Sequence, residues 1–273
     1  MKSSIVSVKW LANNLQDPTL IILDASQQVN QAKVASQFQD VQIKDARYFD
    51  IKNDFSDITN PLPNTLPTAH IFTAAAQKLG INSDSKIVIY DSLGIYSSPR
   101  AWWLFTIMGH ENVWVLDGGL PAYAKENLPL EPTAKRVYAH GNFEAHFNPE
   151  TVRTKEQVLE NIQTKEAILI DACSNDRFTG ETEEPREGLR SGHIPGSSNI
   201  PYPNVLRDGH FLTEEELVKV LPQHNKPIYF SCGSGVTACI VLMAYEIVAN
   251  NNPKAIYDGS WTEWGQIASL PIE

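Results

Sequence analysis

The chain has 273 residues, enough for one large domain or two ordinary ones, and its 42% apolar and 20% charged residues are an ordinary globular mix. Its 22 basic and 32 acidic residues leave a net charge of −10 with no basic run. That balance argues against nucleic acid and anionic membranes as partners, and leaves any anion to a few arginines or backbone N–H groups.

The first residues, "MKSSIVSVKWLANNLQ", carry no apolar core of signal-peptide length, and the longest nearly uninterrupted apolar run, Cys239 to Tyr245, is far short of a membrane span. Three cysteines with no C-x-x-C do not make a disulfide framework, and the seven histidines lack metal-ligand spacing. The expectation is a soluble protein of the reducing cytoplasm, without a metal or other cofactor.

Along the chain, "LIILDAS" (20–26) is a buried-strand pattern that delivers Asp24 to a loop. "KIVIYDSLGIYSSPRAWWLFTIMG" (86–109) is a strand, a glycine-bearing turn and an apolar-rich helix, and "VWVLDGGLPAYAKENLP" (113–129) starts another strand. "PLEPTAKRVYAHGNFEAHFNPE" (129–150) has three prolines and no sustained period, so a linker is predicted, with the boundary at 131–150. "TKEQVLENIQ" (154–163) has the Thr cap of a helix, and "TEEELVKVL" (213–221) spaces Thr213 and Glu216 as a capping box. Then the first half recurs. "ILIDACS" (168–174), "KPIYFSCGSGVTACIVLMAYEIV" (226–248) and "AIYDGSWTEWGQIASLP" (255–271) match the three stretches above. Asp24 and Asp171, Asp91 and Cys232, and Asp117 and Asp258 stand 147, 141 and 141 residues apart. Near-constant offsets predict two tandem α/β domains, 1–135 and 147–273, each with a mainly parallel sheet flanked by helices.

The two copies differ where it matters chemically: Asp91 stands in the first where Cys232 stands in the second. In "CGSGVTA", Gly233 and Gly235 let the backbone curl so that successive N–H groups point inward as an anion nest, backed by a helix N-terminus. That setting favours a thiolate at Cys232 and holds an anion attached to its sulfur, with Ser234 and Thr237 as hydroxyl donors. Cys239 lies in the apolar helix and is expected to pack. A phosphatase would need an arginine six residues after the cysteine, where Ala238 stands, and no arginine occurs from 208 to 273. A protease or acyl transferase would need a histidine partner, and spacing alone does not bring His193, His210 or His224 to Cys232.

"CGSGVTA", "DRFTGETEEPREGLRSGHIPGSSNIPY" (176–202), "YDGSWTEWG" (257–265) and "PRAWWLFTIMGHENVWVLDGGL" (99–120) together resemble the tandem-domain sulfurtransferases of the rhodanese superfamily. The Cys-Gly-Ser-Gly-Val-Thr loop is similar to the 3-mercaptopyruvate branch; the thiosulfate branch has basic residues after the cysteine. The resemblance implies a non-catalytic first domain and a catalytic second domain. It implies sulfur transfer from 3-mercaptopyruvate through a Cys232 persulfide to a thiol or cyanide, with a small thiol or a thioredoxin-like protein as the natural acceptor. It also implies that Arg177 and Arg186 bind the sulfur donor's carboxylate and that Gly233, Ser234, Gly235, Val236 and Thr237 form the substrate-binding loop. Arg190 and His193 are expected to be structural. The alternatives are thiosulfate as the sulfur donor, or a persulfide carrier of low turnover.

This chain departs from the family pattern at two places. The usual Asp-Ala/Ser-Arg reads Asp171-Ala172-Cys173, which puts a second thiol near the loop. The family's first-domain histidine, which the resemblance implies in proton transfer with a loop serine, aligns with Asn64 of "PLPNTLP" (61–67), and an amide cannot act as a base near neutral pH. The first copy also lacks "GHIPG"; it reads "QDVQIKDARYFD" (39–50) there.

Overall fold

In the computed structural model, residues 3–27, 34–38 and 40–273 are described; Gln39, which opens the stretch set against "GHIPG", lies outside them. The aliphatic runs form the central strands of two parallel sheets and are largely buried, and shorter strands of two residues line the edges. In the first repeat these are β1 (Ile5–Val6), β2 (Leu20–Asp24), β3 (Arg47–Tyr48), β4 (Lys86–Tyr90) and β5 (Val113–Leu116), in the order β1-β5-β4-β2-β3. In the second they are β6 (Val152–Arg153), β7 (Ile168–Asp171), β8 (Ser198–Asn199), β9 (Ile228–Ser231) and β10 (Lys254–Tyr257), in the order β6-β10-β9-β7-β8. The two orders are the same order, and every pairing in both sheets is parallel. The repeat read from spacing is therefore a repeat of topology.

Among the helices of the first repeat are α1 (Val8–Asn14), α2 (Ala69–Lys78), α3 (Ser98–Ile107) and α4 (Gly119–Lys125). The second repeat adds α5 (Lys155–Thr164), α6 (Asn175–Phe178), α7 (Glu214–Val220), α8 (Ala238–Ile247) and α9 (Ser260–Trp264). α3 and α8 follow the central strands and are buried nearly all round: in α8 every residue from Ala238 to Tyr245 is buried. That explains their apolar composition, since a helix with no solvent face has no polar stripe. No helix among the described residues is long and apolar enough to cross a membrane.

The chain divides into two compact units that nearly follow the repeats. Unit 1 is Met1–Asp57, Leu66–Phe147 and Leu206–Phe211; unit 2 is Ile58–Thr65, Asn148–Val205 and Leu212–Glu273. Each unit thus takes one short segment from the other repeat. Unit 1 packs an aromatic core in which Phe49 stacks on Phe55 (3.7 Å between centroids) and Phe72 meets Phe105 edge-on (5.0 Å). Unit 2 packs Val158, Leu169, Ile194, Tyr257, Trp261 and Trp264.

The proline-rich stretch read as a linker is tied down. Leu130–Pro132 pairs antiparallel with Val41–Ile43. Further on, Phe143 is buried against Phe72, Phe105 and His110. Backbone N–H groups of Gly141, Phe143 and His146 also donate to the carbonyls of Gln77, Ile81 and Met108, so the segment is fixed without any period of its own.

Candidate active site

β7 and β9 are adjacent, with Asp171 opposite Ser231, but the chain leaves them in opposite directions: β7 leads towards β8 at one edge, β9 through α8 to β10 on the other side. Such a switch point opens a crevice beyond the C-terminal ends of the strands. Cys232 follows β9 directly, and the loop carrying Arg177 and Arg186 follows β7.

The Cys232 loop is held from below by α9. Trp261 N donates to Cys232 O (2.9 Å) and Thr262 N donates to Gly233 O (2.9 Å). Cys232 N donates to Ser260 Oγ at 3.4 Å. Cys232 is 1% exposed. Gly235 takes φ 75°, a left-handed conformation that makes the turn and that glycine adopts without strain. Val236 is buried and its carbonyl accepts from Cys239 N at 3.2 Å. Thr237 is the N-cap of α8 but its hydroxyl does not cap. Cys239 packs inside α8 with its thiol on Gly235 O at 3.2 Å.

Both arginines expected from the sequence converge on this loop. A methyl placed on Gly233 would lie 3.1 Å from Arg177 Nη2 and 3.6 Å from Arg186 Nη1. Arg186 Nη2 donates to Ser234 Oγ (3.2 Å) and its Nη1 to Thr262 Oγ1 (3.2 Å). Arg177 forms a two-pronged pair with Glu184, whose side chain is buried, Nε to Oε1 at 3.0 Å and Nη2 to Oε2 at 2.7 Å. Burial by itself would lower the Arg177 pKa, but the Glu184 carboxylate hydrogen-bonded to it works the other way and the net shift is upward, so the guanidinium is a fixed cation. Asn64, whose segment clusters with unit 2, donates from Nδ2 to Ser234 Oγ at 3.0 Å.

Glu184 and Thr262 were not singled out in the sequence. Glu184 looks there like one of four loop acids around the arginines; only its seven-residue spacing from Arg177 separates it from the rest.

Cys173 lies just past the end of β7, its N–H donating to Asp171 Oδ1 at 2.8 Å. Burial, and then the Asp171 carboxylate, push its thiol well above the ordinary range. Burial also raises Asp171. The two neighbours expected to be structural have structural partners. Arg190 donates to the carbonyls of Gly265, Leu270, Trp264 and Ile267. His193 stacks on Phe178 (3.7 Å between centroids), with Nδ1 2.8 Å from Phe178 O.

The matching loop of unit 1 is already filled. Asp91 Oδ2 accepts from the N–H groups of Tyr96 (2.8 Å), Ser97 (3.0 Å) and Ser98 (2.9 Å) and from Ser98 Oγ (2.7 Å). Its Oδ1 accepts from Leu93 N at 3.0 Å. Gly94 takes φ 99° at the position matching Gly235. Burial raises the Asp91 pKa, and these hydrogen bonds oppose the rise without cancelling it.

Two copies of one parallel α/β fold, with a strand–loop–helix nest after each central strand, define a tandem-domain protein. The rhodanese-like domain family matches residues 7–126 and 154–267, and the chain belongs to that family. It is 41% identical to the 3-mercaptopyruvate sulfurtransferase of Escherichia coli K12, over 98% of this chain and 97% of that protein. It is 40% identical to the thiosulfate/3-mercaptopyruvate sulfurtransferase 1, mitochondrial, of Arabidopsis thaliana, over 98% of this chain and 78% of that protein. The crystal structure of SseA from Escherichia coli, a 3-mercaptopyruvate sulfotransferase, superposes with a TM-score of 0.84 at 37% identity, covering 95% of this chain and 99% of that one.

Proposed function

We propose that this protein is a sulfurtransferase that takes sulfur from 3-mercaptopyruvate onto Cys232 and passes it to a thiol. The observation that carries this reading is the convergence of Arg177 and Arg186 on Gly233, the residue that follows Cys232. Two guanidinium groups suit a carboxylate, and in a 2-oxo acid bearing a terminal thiol that carboxylate is two carbons from the sulfur-bearing carbon. The Cys232 thiolate attacks the donor's sulfur. The S–S bond forms, the C–S bond breaks, and its electron pair goes to the carbon as the enolate of pyruvate. In the second half-reaction an acceptor thiolate takes the outer sulfur and Cys232 returns as the thiolate. Gly233, Gly235, Val236 and Thr237 supply the curved backbone that faces the persulfide. The acceptor is a small thiol or a thioredoxin-like protein.

Thiosulfate is the second sulfur donor to consider, since a named relative covers both. The geometry favours mercaptopyruvate: the space over Gly233, where a basic side chain would stand, is taken by the two guanidinium groups.

The test is release of pyruvate from mercaptopyruvate with a thiol acceptor, followed by intact mass after exposure to the sulfur donor alone. The expected result is steady turnover and a gain of one sulfur atom. Both should be lost in Cys232→Ser; turnover that survives this substitution rules the reading out.

A further inference from the structure

One oxygen in the candidate site has its acceptor capacity filled. Ser234 Oγ accepts from Asn64 Nδ2 at 3.0 Å and from Arg186 Nη2 at 3.2 Å. A serine hydroxyl has two acceptor lone pairs and one proton. With both lone pairs taken, the proton must leave in a third direction. Arg186 has no acceptor at all, and the Asn64 group at this contact is its NH₂. Ser234 is itself buried, 7% exposed, two residues after Cys232 and in contact with Arg186, so its proton is turned into the candidate site rather than to bulk water.

We propose that Asn64 is a positioning residue that fixes Ser234 as a one-way hydrogen-bond donor to the 2-oxo oxygen of the sulfur donor. This deepens the sulfurtransferase reading and rests on it. Arg186 holds Ser234 and also binds the carboxylate, and in a 2-oxo acid the oxo oxygen sits on the carbon next to that carboxylate. As the C–S bond breaks, the electron pair spreads onto this oxygen, and the Ser234 O–H meets the new charge. Two N–H donors on Oγ polarise that O–H and strengthen it. The proton that the donor's thiol releases balances the one the enolate carbon takes up, so Ser234 ends the step unchanged. In the Asn64–Ser234–Arg186 network Asn64 is neutral and Arg186 a permanent cation; the other charged or titratable groups facing it are Arg177, its partner Glu184, and the thiols of Cys173 and Cys232. The site is thereby biased towards 2-oxo thiols over thiosulfate, whose S–S cleavage forms no enolate.

Asn64 has φ 59°, in the left-handed region. Asp and His are tolerated there and glycine is unstrained, so these replacements keep the backbone. The experiment measures kcat and KM on the full chain with mercaptopyruvate and with thiosulfate, from pH 5.5 to 8.5, for wild type, Asn64→Asp, Asn64→Gly, Asn64→His and Ser234→Ala. A carboxylate at 64 captures the Ser234 proton. Asn64→Asp should therefore lower kcat on mercaptopyruvate by roughly tenfold or more with little change in KM, and lower turnover of thiosulfate by less than about threefold. Asn64→Gly should fall between Asp and wild type, and Ser234→Ala should show the same bias between sulfur donors as Asn64→Asp. Asn64→His should add a limb near about pH 6.5 that the wild type lacks. Wild-type kcat in Asn64→Asp, equal losses with both sulfur donors, or an unchanged pH profile in Asn64→His each overturn the proposal. If the unmodified protein loads no sulfur from either donor, the sulfurtransferase reading itself falls; if it loads normally while Asn64→Asp matches it, only the role of Asn64 does.

Discussion

Position 173 shows how one side chain changes the chemistry of a loop while leaving its backbone. The Asp171–Cys173 turn forms as the strand pattern predicts, but the thiol it buries is held protonated by its surroundings and by Asp171. The sign of the effect on stability follows. Below the ordinary thiol value of 9.0, folded and unfolded chains both keep the proton and nothing is lost. Above it the unfolded chain releases the proton and the folded one does not. The protein should therefore lose up to about 1.4 kcal/mol per pH unit from this group as pH rises. Urea melts between pH 8 and 10.5 should show a steeper alkaline loss in the wild type than in Cys173→Ala; parallel slopes would contradict it. At this scale the sequence was most legible where residue type alone limits the chemistry, as with Cys232, Arg177 and Arg186. It was least legible where a common residue is selected by contact alone, as with Glu184 among its acidic neighbours and Thr262 under the loop.

At the scale of elements, signals written within a few residues were readable and those that depend on a distant partner were not. Thr213 and Glu216 form the expected capping box, and Thr154 and Gln157 form another. The buried strands were legible as aliphatic runs ending in aspartate, and the central helices as apolar stretches. The stretch from 129 to 150 was not, because its order comes from partners far away in sequence: the pairing of Leu130–Pro132 with Val41–Ile43, backbone bonds to Gln77, Ile81 and Met108, and Phe143 docking into an aromatic cluster. Phe143→Ala should cost about 3–5 kcal/mol in chemical denaturation, as for a core phenylalanine; a loss under about 0.5 kcal/mol would mean the segment behaves as a free tether.

For the whole molecule, the near-constant offset between matched residues gave away the duplication, and the identical strand orders are its three-dimensional counterpart. An offset cannot reveal that Ile58–Thr65 clusters with the opposite repeat, since it compares like with like along the chain. That exchange is what brings Asn64 to Ser234. Asp91 has a further consequence. From Cα through Cβ and Cγ to Oδ2 its side chain spans as many bonds as Cα, Cβ and the two sulfurs of a cysteine persulfide. The unit 1 nest is thus occupied by a carboxyl group that belongs to the chain and cannot leave. The nest after Cys232 would cycle between empty and full, so its rigidity should depend on the stage of turnover. Protein loaded with one sulfur should melt at a higher temperature than sulfur-free protein in calorimetry, and Cys232→Ser treated alike should not shift. Equal melting temperatures for loaded and unloaded wild type would mean that the second nest gains nothing from its anion.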